Sequence, residues 1–515
     1  MKLDEFTSRF SKLTGAMPIW HGVVNAQDML SLCEQVKQSG GKLTALWGSD
    51  ETAQNGSYAL HVALVSVAGM LVLSLPLSPE NPDFPDLSKI FPAANRMQRS
   101  VTDMLGLHPA TEDDHRKWLR HAAWPGNVHP LRKSFDISSH FPLENDNYSF
   151  VPVTGNGVHE IAVGPVHAGI IEPGHFRFSI IGERVLKLEE RLGYKHKGIE
   201  KRFEGMTLQQ GTKLAGRICG DTTVGYAWAY AQAVECATNS TPPPRALWLR
   251  ALFLEVERLL NHLGDLGYIG NDAALAFGFS QFWILKENLL RMNAELFGHR
   301  YLMDRIVPGG VTCDLDNAGL LRIVETVNFI KHETDILKEI YDEHAGMQDR
   351  FLTTGHIASD LAAKLGLTGM AGRASGQAWD ARAQFPCIPY DQLDVNMVTH
   401  RNGDVAARVT MRFEEITESI RLIRLILEKL PEGELLTHLG NAKEGTLGIG
   451  WVEGWRGEIM LALHVGKDNY IHRLHPHDPS WQNWPVLEHA IMDNIVPDFP
   501  LINKSFNLSY SGVDL

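Results

Sequence analysis

The sequence predicts an α+β protein in two parts: a small α+β domain over residues 1–140, then a large, mainly helical domain over residues 141–515 with short peripheral β-sheets. Three observations lead there. At 515 residues and 44% hydrophobic content, the chain exceeds one ordinary domain and can bury a large core. Its first part mixes one helical pattern with Val/Leu-rich strand patterns. From Gly205 onward, long apolar-periodic segments dominate, and strand-like alternation returns after Leu447.

In order along the chain, Ala26 to Gln38 reads as a helix. Tyr58 to Leu77, YALHVALVSVAGMLVLSLPL, approaches the length of a membrane span, yet it holds His61, Ser66, Ser74, a turn-like Ala68-Gly69 pair and much Val. Two short buried strands are expected there. Polar, Pro- and His-containing sequence closes the first domain, and Tyr148 to Ile181 is strand-like with Gly and Pro punctuation. Arg245 to Leu263, introduced by Pro242-Pro243-Pro244, spreads Leu247, Phe253, Leu254, Val256, Leu259, Leu260 and Leu263 over more than one face, which predicts a helix buried inside a bundle. Similar helices are expected at Gln281 to Phe297, Ala318 to His344 and Phe413 to Leu430. GIGWVEGWRGEIMLALHV then alternates like a strand pair before a Pro-rich tail.

The net charge of −13 comes without any Lys/Arg-rich run, which argues against nucleic acid or an anionic membrane surface as a direct partner. Five cysteines, Cys33, Cys219, Cys236, Cys313 and Cys387, lie far apart with no CxxC pair, so reduced thiols and a cytoplasmic location are expected. The N-terminal MKLDEFTSRFSKLTG has no apolar signal-peptide core. No strand-GxGxxG-helix nucleotide unit is visible. His472, His475 and His477, in IHRLHPHDPSW, form a dense histidine group that reads as an exposed loop more than as a metal site.

FPAANRMQRSVTDMLGL (Phe91 to Leu107) and HPLRKSF (His129 to Phe135) resemble the small peripheral-arm subunit of respiratory complex I. GPVHAGIIEPGHFRF (Gly164 to Phe178), YKHKGIEK, GRICG, VPGGV, RASGQAWDAR and VEGWRGE resemble, in the expected order, the large subunit shared by complex I and the NiFe hydrogenases. The fused order and VEGWRGE point to the membrane-bound, energy-converting hydrogenase branch. The resemblance implies a docking role for the first domain and an NiFe-hydrogenase large-subunit or quinone-module fold for the second.

That family holds nickel and iron with two CxxC pairs, because soft thiolates suit the metal. The resemblance places Cys219 and Thr222 at the first pair, Ser509 and Gly512 at the second, and Tyr226 where a histidine follows. One thiolate of four remains, so no NiFe centre and no hydrogen chemistry are expected. Cys219 is then either a buried apolar relic or a reactive thiol lowered by a helix start, and Asp221 either a proton carrier or an acceptor for helix-start N–H groups.

In complex I the same fold, without nickel, offers a quinone pocket. The resemblance puts His175 at its quinone-binding histidine and Glu172 close to a proton-conducting carboxylate of hydrogenases, with Leu214 near the quinone tyrosine and Tyr226 as a candidate substitute. His167 and His175 are either proton- or quinone-handling groups or hydrogen-bonded loop histidines, and Glu204 is read as a surface group. Arg217, Arg373, Asp380 and Arg382 look like a buried ion-pair network lining the cavity, for cofactor contact or for structure.

The implied function is that of a peripheral-arm subunit on the cytoplasmic face of the inner membrane, held there by partners. A small subunit with an iron–sulfur cluster, a ferredoxin-like subunit and integral membrane antiporter-like subunits are the expected partners, and a quinone is a candidate acceptor. The alternative is a redox-inactive scaffold or coupling subunit of an ion-translocating complex.

Overall fold

The computed structural model describes residues 9–111, 113–142, 145–167 and 171–515. The first eight residues of the N-terminal segment and residues 168–170 of the Gly164-to-Phe178 motif lie outside the described residues.

Five strands, β1 (Ser11–Lys12), β2 (Ile19–Val23), β3 (Lys42–Glu51), β4 (Ser57–Ser66) and β5 (Gly69–Leu77), make one sheet in the order β1-β2-β5-β4-β3. β2 and β5 run parallel, while β3, β4 and β5 form an antiparallel meander with His61 opposite both Trp47 and Ser74. Helix α1 (Ala26–Gln38) starts at Asn25, whose side chain accepts the Asp28 N–H, and buries Met29, Leu32, Cys33 and Val36 at helical spacing. With α2 (Ala94–Leu105) it covers one face of the sheet, against Leu46, Leu60, Val62, Leu64, Leu71 and Leu73.

The other face packs on the sheet that forms near the C-terminal end of the chain. Ala45, Trp47, Ala63, Val65, Met70 and Val72 share a core with Leu447, Ile449, Trp451, Met460 and Ala462. This explains the near-continuous apolar run from Tyr58 to Leu77, because strands buried on both faces lose the polar alternation of a half-exposed sheet. The two expected strands are β4 and β5, and no helix among the described residues is long and apolar enough to cross a membrane.

A second sheet follows, β6 (Val158–Val163), β7 (His175–Ile181) and β8 (Arg184–Arg191), antiparallel in the order β8-β7-β6. The helical layer is α3 (Thr223–Thr238), α4 (Pro244–Asp272), α5 (Ala276–Phe297), α6 (Asn317–Glu343) and α7 (Val405–Lys429). Pro244 opens α4 in the first turn, where a missing N–H costs nothing. The helix runs nine residues beyond the expected Leu263 because Gly264, Gly267 and Gly270 form a flat stripe on which Lys286, Trp283 and Tyr341 lie. The helix α7 likewise begins at Val405, not Phe413. Its first turns hold Arg408 and Arg412, which hide the apolar pattern yet are buried: Arg412 pairs with Asp265 at 2.9 Å, and Arg408 donates to Gly403 O and Gly355 O.

The third sheet, β9 (Leu447–Glu453), β10 (Glu458–Val465) and β11 (Ile471–His477), is antiparallel in that order. The helix α3 lies directly on it, and the fit requires glycine: a Cβ on Gly448 or Gly450 would come within 2.0 or 1.7 Å of the Ala233 or Ala229 carbonyl. One expectation is corrected here. The histidine-rich segment is strand β11, with His475 bonded to Glu200 and His477 to Gln482 in the interior, because it is the last strand of a sheet covered on both sides. The Pro-rich tail forms α8 (Ser480–Ala490), α9 (Phe499–Phe506) and α10 (Ser511–Asp514); Pro500 falls in a first helical turn, where proline is tolerated.

Candidate functional site

Three segments converge at the N-terminal end of α3: the stretch Cys219 to Thr222, the Gly454–Gly457 turn between β9 and β10, and the C-terminal segment from Asn507 to Leu515. The turn closes on itself through Gly454 N–H to Gly457 O (2.8 Å) and Gly457 N–H to Gly454 O (3.2 Å). Arg258 of α4 braces it from behind, donating to Glu453 O (2.8 Å) and Gly454 O (3.0 Å). This fixes Trp455 and Arg456 at the tip. The C-terminal segment is buried, and Trp484 of α8 donates to Ser509 O at 3.1 Å.

At the centre is the Arg456 guanidinium. Its Nη1 lies 2.8 Å from Asp221 Oδ1, 3.0 Å from Thr222 Oγ1 and 3.9 Å from Cys219 Sγ, and its Nη2 lies 2.5 Å from Asp221 Oδ2. Nε donates to Asn507 O at 2.5 Å, and the group stacks 3.9 Å from the Trp455 ring. The Cys219 thiol contacts Asp221 Oδ1 at 3.0 Å and Ser509 Oγ at 3.1 Å, and Ser509 Oγ accepts the Gly512 N–H at 2.9 Å. Tyr226 is fully buried and donates to Asp478 Oδ2 at 2.7 Å. A Cβ on Gly512 would meet Asp478 Oδ2 at 2.6 Å and the Tyr226 hydroxyl at 2.8 Å. Cys219, Asp221, Thr222, Tyr226, Ser509 and Gly512 are thus one cluster, in direct contact with one another or with the residues between them.

The electrostatics follow from burial and from the Arg456 cation at the centre. Burial works to raise the Asp221 pKa, but the Arg456 guanidinium outweighs it and holds the carboxyl well below the usual range. Burial and then the Asp221 charge push the Cys219 thiol well above its ordinary value, so it is not a reactive thiolate. Burial and Asp478 do the same to Tyr226. Asp221 is held ionised by Arg456, and the acceptor for the helix-start N–H groups is Glu257 of α4. The Glu257 carboxyl takes the Val224 N–H at 2.7 Å and the Gly225 N–H at 3.0 Å. Burial nonetheless pushes Glu257 up to about 8, against the lowering effect of those two N–H groups. Asn261 links the pair, donating to Asp221 O (2.7 Å) and Glu257 O (2.9 Å).

Glu172 joins the rim, accepting both the backbone N–H (3.1 Å) and the hydroxyl of Ser511, next to Gly512, with Lys195 Nζ at 3.8 Å. His175 does not join. Strand alternation puts Phe176 on the core side of β7, facing Trp484, and His175 on the other, where Phe150 (5.1 Å), Arg177 (3.4 Å) and the Gly164 backbone surround it. His167 packs edge-on against Phe176 at 5.4 Å, with its Nε2 buried and without a hydrogen-bond partner among the described residues. Arg217, expected inside the buried network, is a surface residue in a two-pronged pair with Asp304 at 2.7 and 2.8 Å. It sits at the end of a turn that faces outward.

Arg373, Asp380 and Arg382 are buried together. Arg382 bonds Asp380 (2.7 Å) and Glu255 (2.9 Å), and Arg373 bonds Glu453 (3.3 Å) and Glu415. Glu204 pairs with Lys133 at 2.7 Å and Lys201 at 2.9 Å. Leu214 lines a different, open cavity of 760 Å³ with Phe135, Met206 and Ile471. Arg456, Asp478 and Glu257 received no role from the sequence. The available signal was the arginine in WRGE: a cation flanked by Trp and Gly between two apolar strands must find a buried acceptor.

A fused small domain, a three-segment site under a helical bundle and a C-terminal segment threaded into the core define the class. Residues 23–141 match the family model described as "Respiratory-chain NADH dehydrogenase, 30 Kd subunit", and residues 272–446 that described as "Respiratory-chain NADH dehydrogenase, 49 Kd subunit". The chain is 30% identical to Escherichia coli formate hydrogenlyase subunit 5, over 93% of this chain and 85% of the relative. It is 30% identical to E. coli hydrogenase-4 component G (93% and 84%) and 29% identical to the C/D subunit of Bacteroides fragilis NADH-quinone oxidoreductase (77% and 78%). The chain belongs to the family of fused complex I 30 kDa and 49 kDa subunits and NiFe-hydrogenase large subunits.

Proposed function

We propose that this chain is the large peripheral-arm subunit of a membrane-bound, ion-translocating oxidoreductase complex, and that its site handles protons without a nickel-iron centre. The observation that carries this is the Arg456–Asp221 pair, with Glu257 behind it. A nickel-iron group does not fit the residues present. One thiol, two hydroxyls and a glycine are a poor donor set for a soft metal, a guanidinium lies among them, and Gly512 has no room for a side chain. Within the site, Arg456 holds Asp221 ionised while burial raises the Glu257 carboxyl to about 8. A charge change beyond α3 would alter the field at Glu257 and so bias its proton.

In this reading an iron–sulfur cluster in the small subunit delivers electrons to an acceptor, a quinone or another, with a ferredoxin-like subunit and antiporter-like membrane subunits completing the complex on the cytoplasmic face of the inner membrane. Tyr226 is committed to Asp478, and His175 lies on the other face of its strand, so the two do not make a headgroup clamp. That arrangement favours a second reading, a redox-inactive coupling subunit. Purification of the native complex with metal analysis and acceptor assays tests both. Iron without stoichiometric nickel, together with acceptor reduction, is expected. Stoichiometric nickel overturns the proposal, and iron without reduction of quinones or dyes leaves the coupling reading.

A further inference from the structure

Away from that site, the seam between the first and third sheets holds a group of metal-type side chains. Glu51 ends β3, His61 lies on β4 on the face shared by Ala63 and Val65, and His464 lies on β10. One ligand atom from each falls within 4.8 Å of the others. The His61 and His464 rings are 4.8 Å apart and inclined by 51°, tilted toward each other's plane instead of stacked flat.

His472 and Ser49 bond the Glu51 carboxylate, yet two atoms of the group are left over. Glu51 Oε1 and His464 Nε2 are both buried and have no hydrogen-bond partner among the described residues; His464 Nδ1 stands 3.9 Å from that oxygen, beyond hydrogen-bond reach. Buried polar atoms in a native fold are otherwise almost always paired, and a bound ion or water is the usual explanation for the exceptions. The surrounding groups hold the three in place. His61 lies between Ser49 Oγ and Ser74 Oγ, both at 2.8 Å, so one hydroxyl can fix the ring while the other yields its place to a metal. His472 Nε2 stands 3.2 Å from the second Glu51 oxygen, and its Nδ1 is held by Gln54 at 2.8 Å. Support of this kind behind metal ligands sets their tautomer and orientation.

We infer that Glu51, His61 and His464 form a divalent transition-metal site that joins the N-terminal domain to the C-terminal sheet. Two imidazoles and one carboxylate suit Zn²⁺ or Co²⁺ and disfavour Mg²⁺ and Ca²⁺, which take oxygen ligands. Water completes the four positions. With metal–ligand bonds of about 2.1 Å the donor atoms of a tetrahedral site stand about 3.4 Å apart, so binding draws the three closer together. The site is independent of the redox or coupling role proposed above.

The test uses the full-length chain, stripped with a chelator and titrated with Co²⁺ by visible absorption and with Zn²⁺ by calorimetry. One equivalent is expected to bind, with tetrahedral ligand-field bands and no thiolate charge-transfer band. Glu51→Gln and His464→Gln are each expected to weaken binding at least tenfold, and Cys219→Ser to leave it unchanged. X-ray absorption on the wild-type Zn²⁺ form, which needs no variant to fold, should show only nitrogen and oxygen neighbours with imidazole scattering. Absence of binding, binding undiminished in both variants, or sulfur bound to the metal overturns the inference.

Discussion

Arg456 grips Asp221 with both ends of its guanidinium, Nη1 to Oδ1 at 2.8 Å and Nη2 to Oδ2 at 2.5 Å, and the cation is the buried partner. Only 6% of the arginine side chain is exposed, against 37% of the aspartate. The pair presents its negative end to the outside and its positive end to Cys219, Thr222 and Asn507.

Loss of the cation should therefore cost stability. Arg456→Met is expected to lower the unfolding free energy by about 1–3 kcal/mol, less than for a fully enclosed pair because water screens part of the carboxylate. Asp221→Leu combined with Arg456→Met should recover most of that loss. Denaturant titration of the single and double variants checks it.

Glu257 should make stability fall with pH. Its folded pKa, about 8, lies above the ordinary 4.5, so the native state binds its proton more tightly than the unfolded chain. The contribution is complete below about 4.5 and is lost as pH rises to about 8, at up to about 1.4 kcal/mol per pH unit. Glu257→Gln should flatten the stability profile across that window. An unchanged slope in denaturation curves taken between these limits would count against the assignment.

Gly512 should tolerate nothing larger. Gly512→Ala puts a methyl group 2.6 Å from Asp478 Oδ2 and 2.8 Å from the Tyr226 hydroxyl, and overpacking of this kind costs about 1–3 kcal/mol. The penalty should shrink in a Tyr226→Phe background, which removes one of the two obstructing oxygens. Thermal midpoints of the two single variants and the double variant measure the coupling.

Cys219 should resist alkylation. It is 5% exposed and its thiol is held protonated, as is the fully buried Cys33. A short iodoacetamide pulse on the native chain should mark Cys313, which is partly exposed, before either of them. Peptide mass spectrometry before and after denaturation reads the order directly.

The framework was legible in the sequence where pattern and packing agree. Ala26–Gln38 was readable because Asn25 caps it and its apolar residues fall on one face. β4 and β5 were readable from Val content and the Ala68-Gly69 turn, even with both faces buried. Arg408 and Arg412 concealed the start of α7, since a buried arginine looks like a surface residue until its carbonyl and carboxylate partners are known. The convergence of Cys219, Thr222, Ser509 and Gly512 followed from the family resemblance. What joins them did not. Arg456, Asp478 and Glu257 arrive from three other parts of the chain, and no local pattern records a contact made at a separation of 235 or 252 residues. Arg217 lies at the surface and His175 apart from the Arg456 cluster for a related reason: proximity in a motif says nothing about which side of a strand or turn a side chain takes.

The sheet of the first domain has helices on one face and the β9–β10 strands on the other, so both of its faces are spent on packing. Expressed as two polypeptides cut near residue 140, each piece would display core-quality apolar surface and depend on the other to stay in solution, as the halves of an obligate heterodimer do. A single ribosome pass avoids that hazard: the two halves are made in equal number, close together, and with no search for a partner.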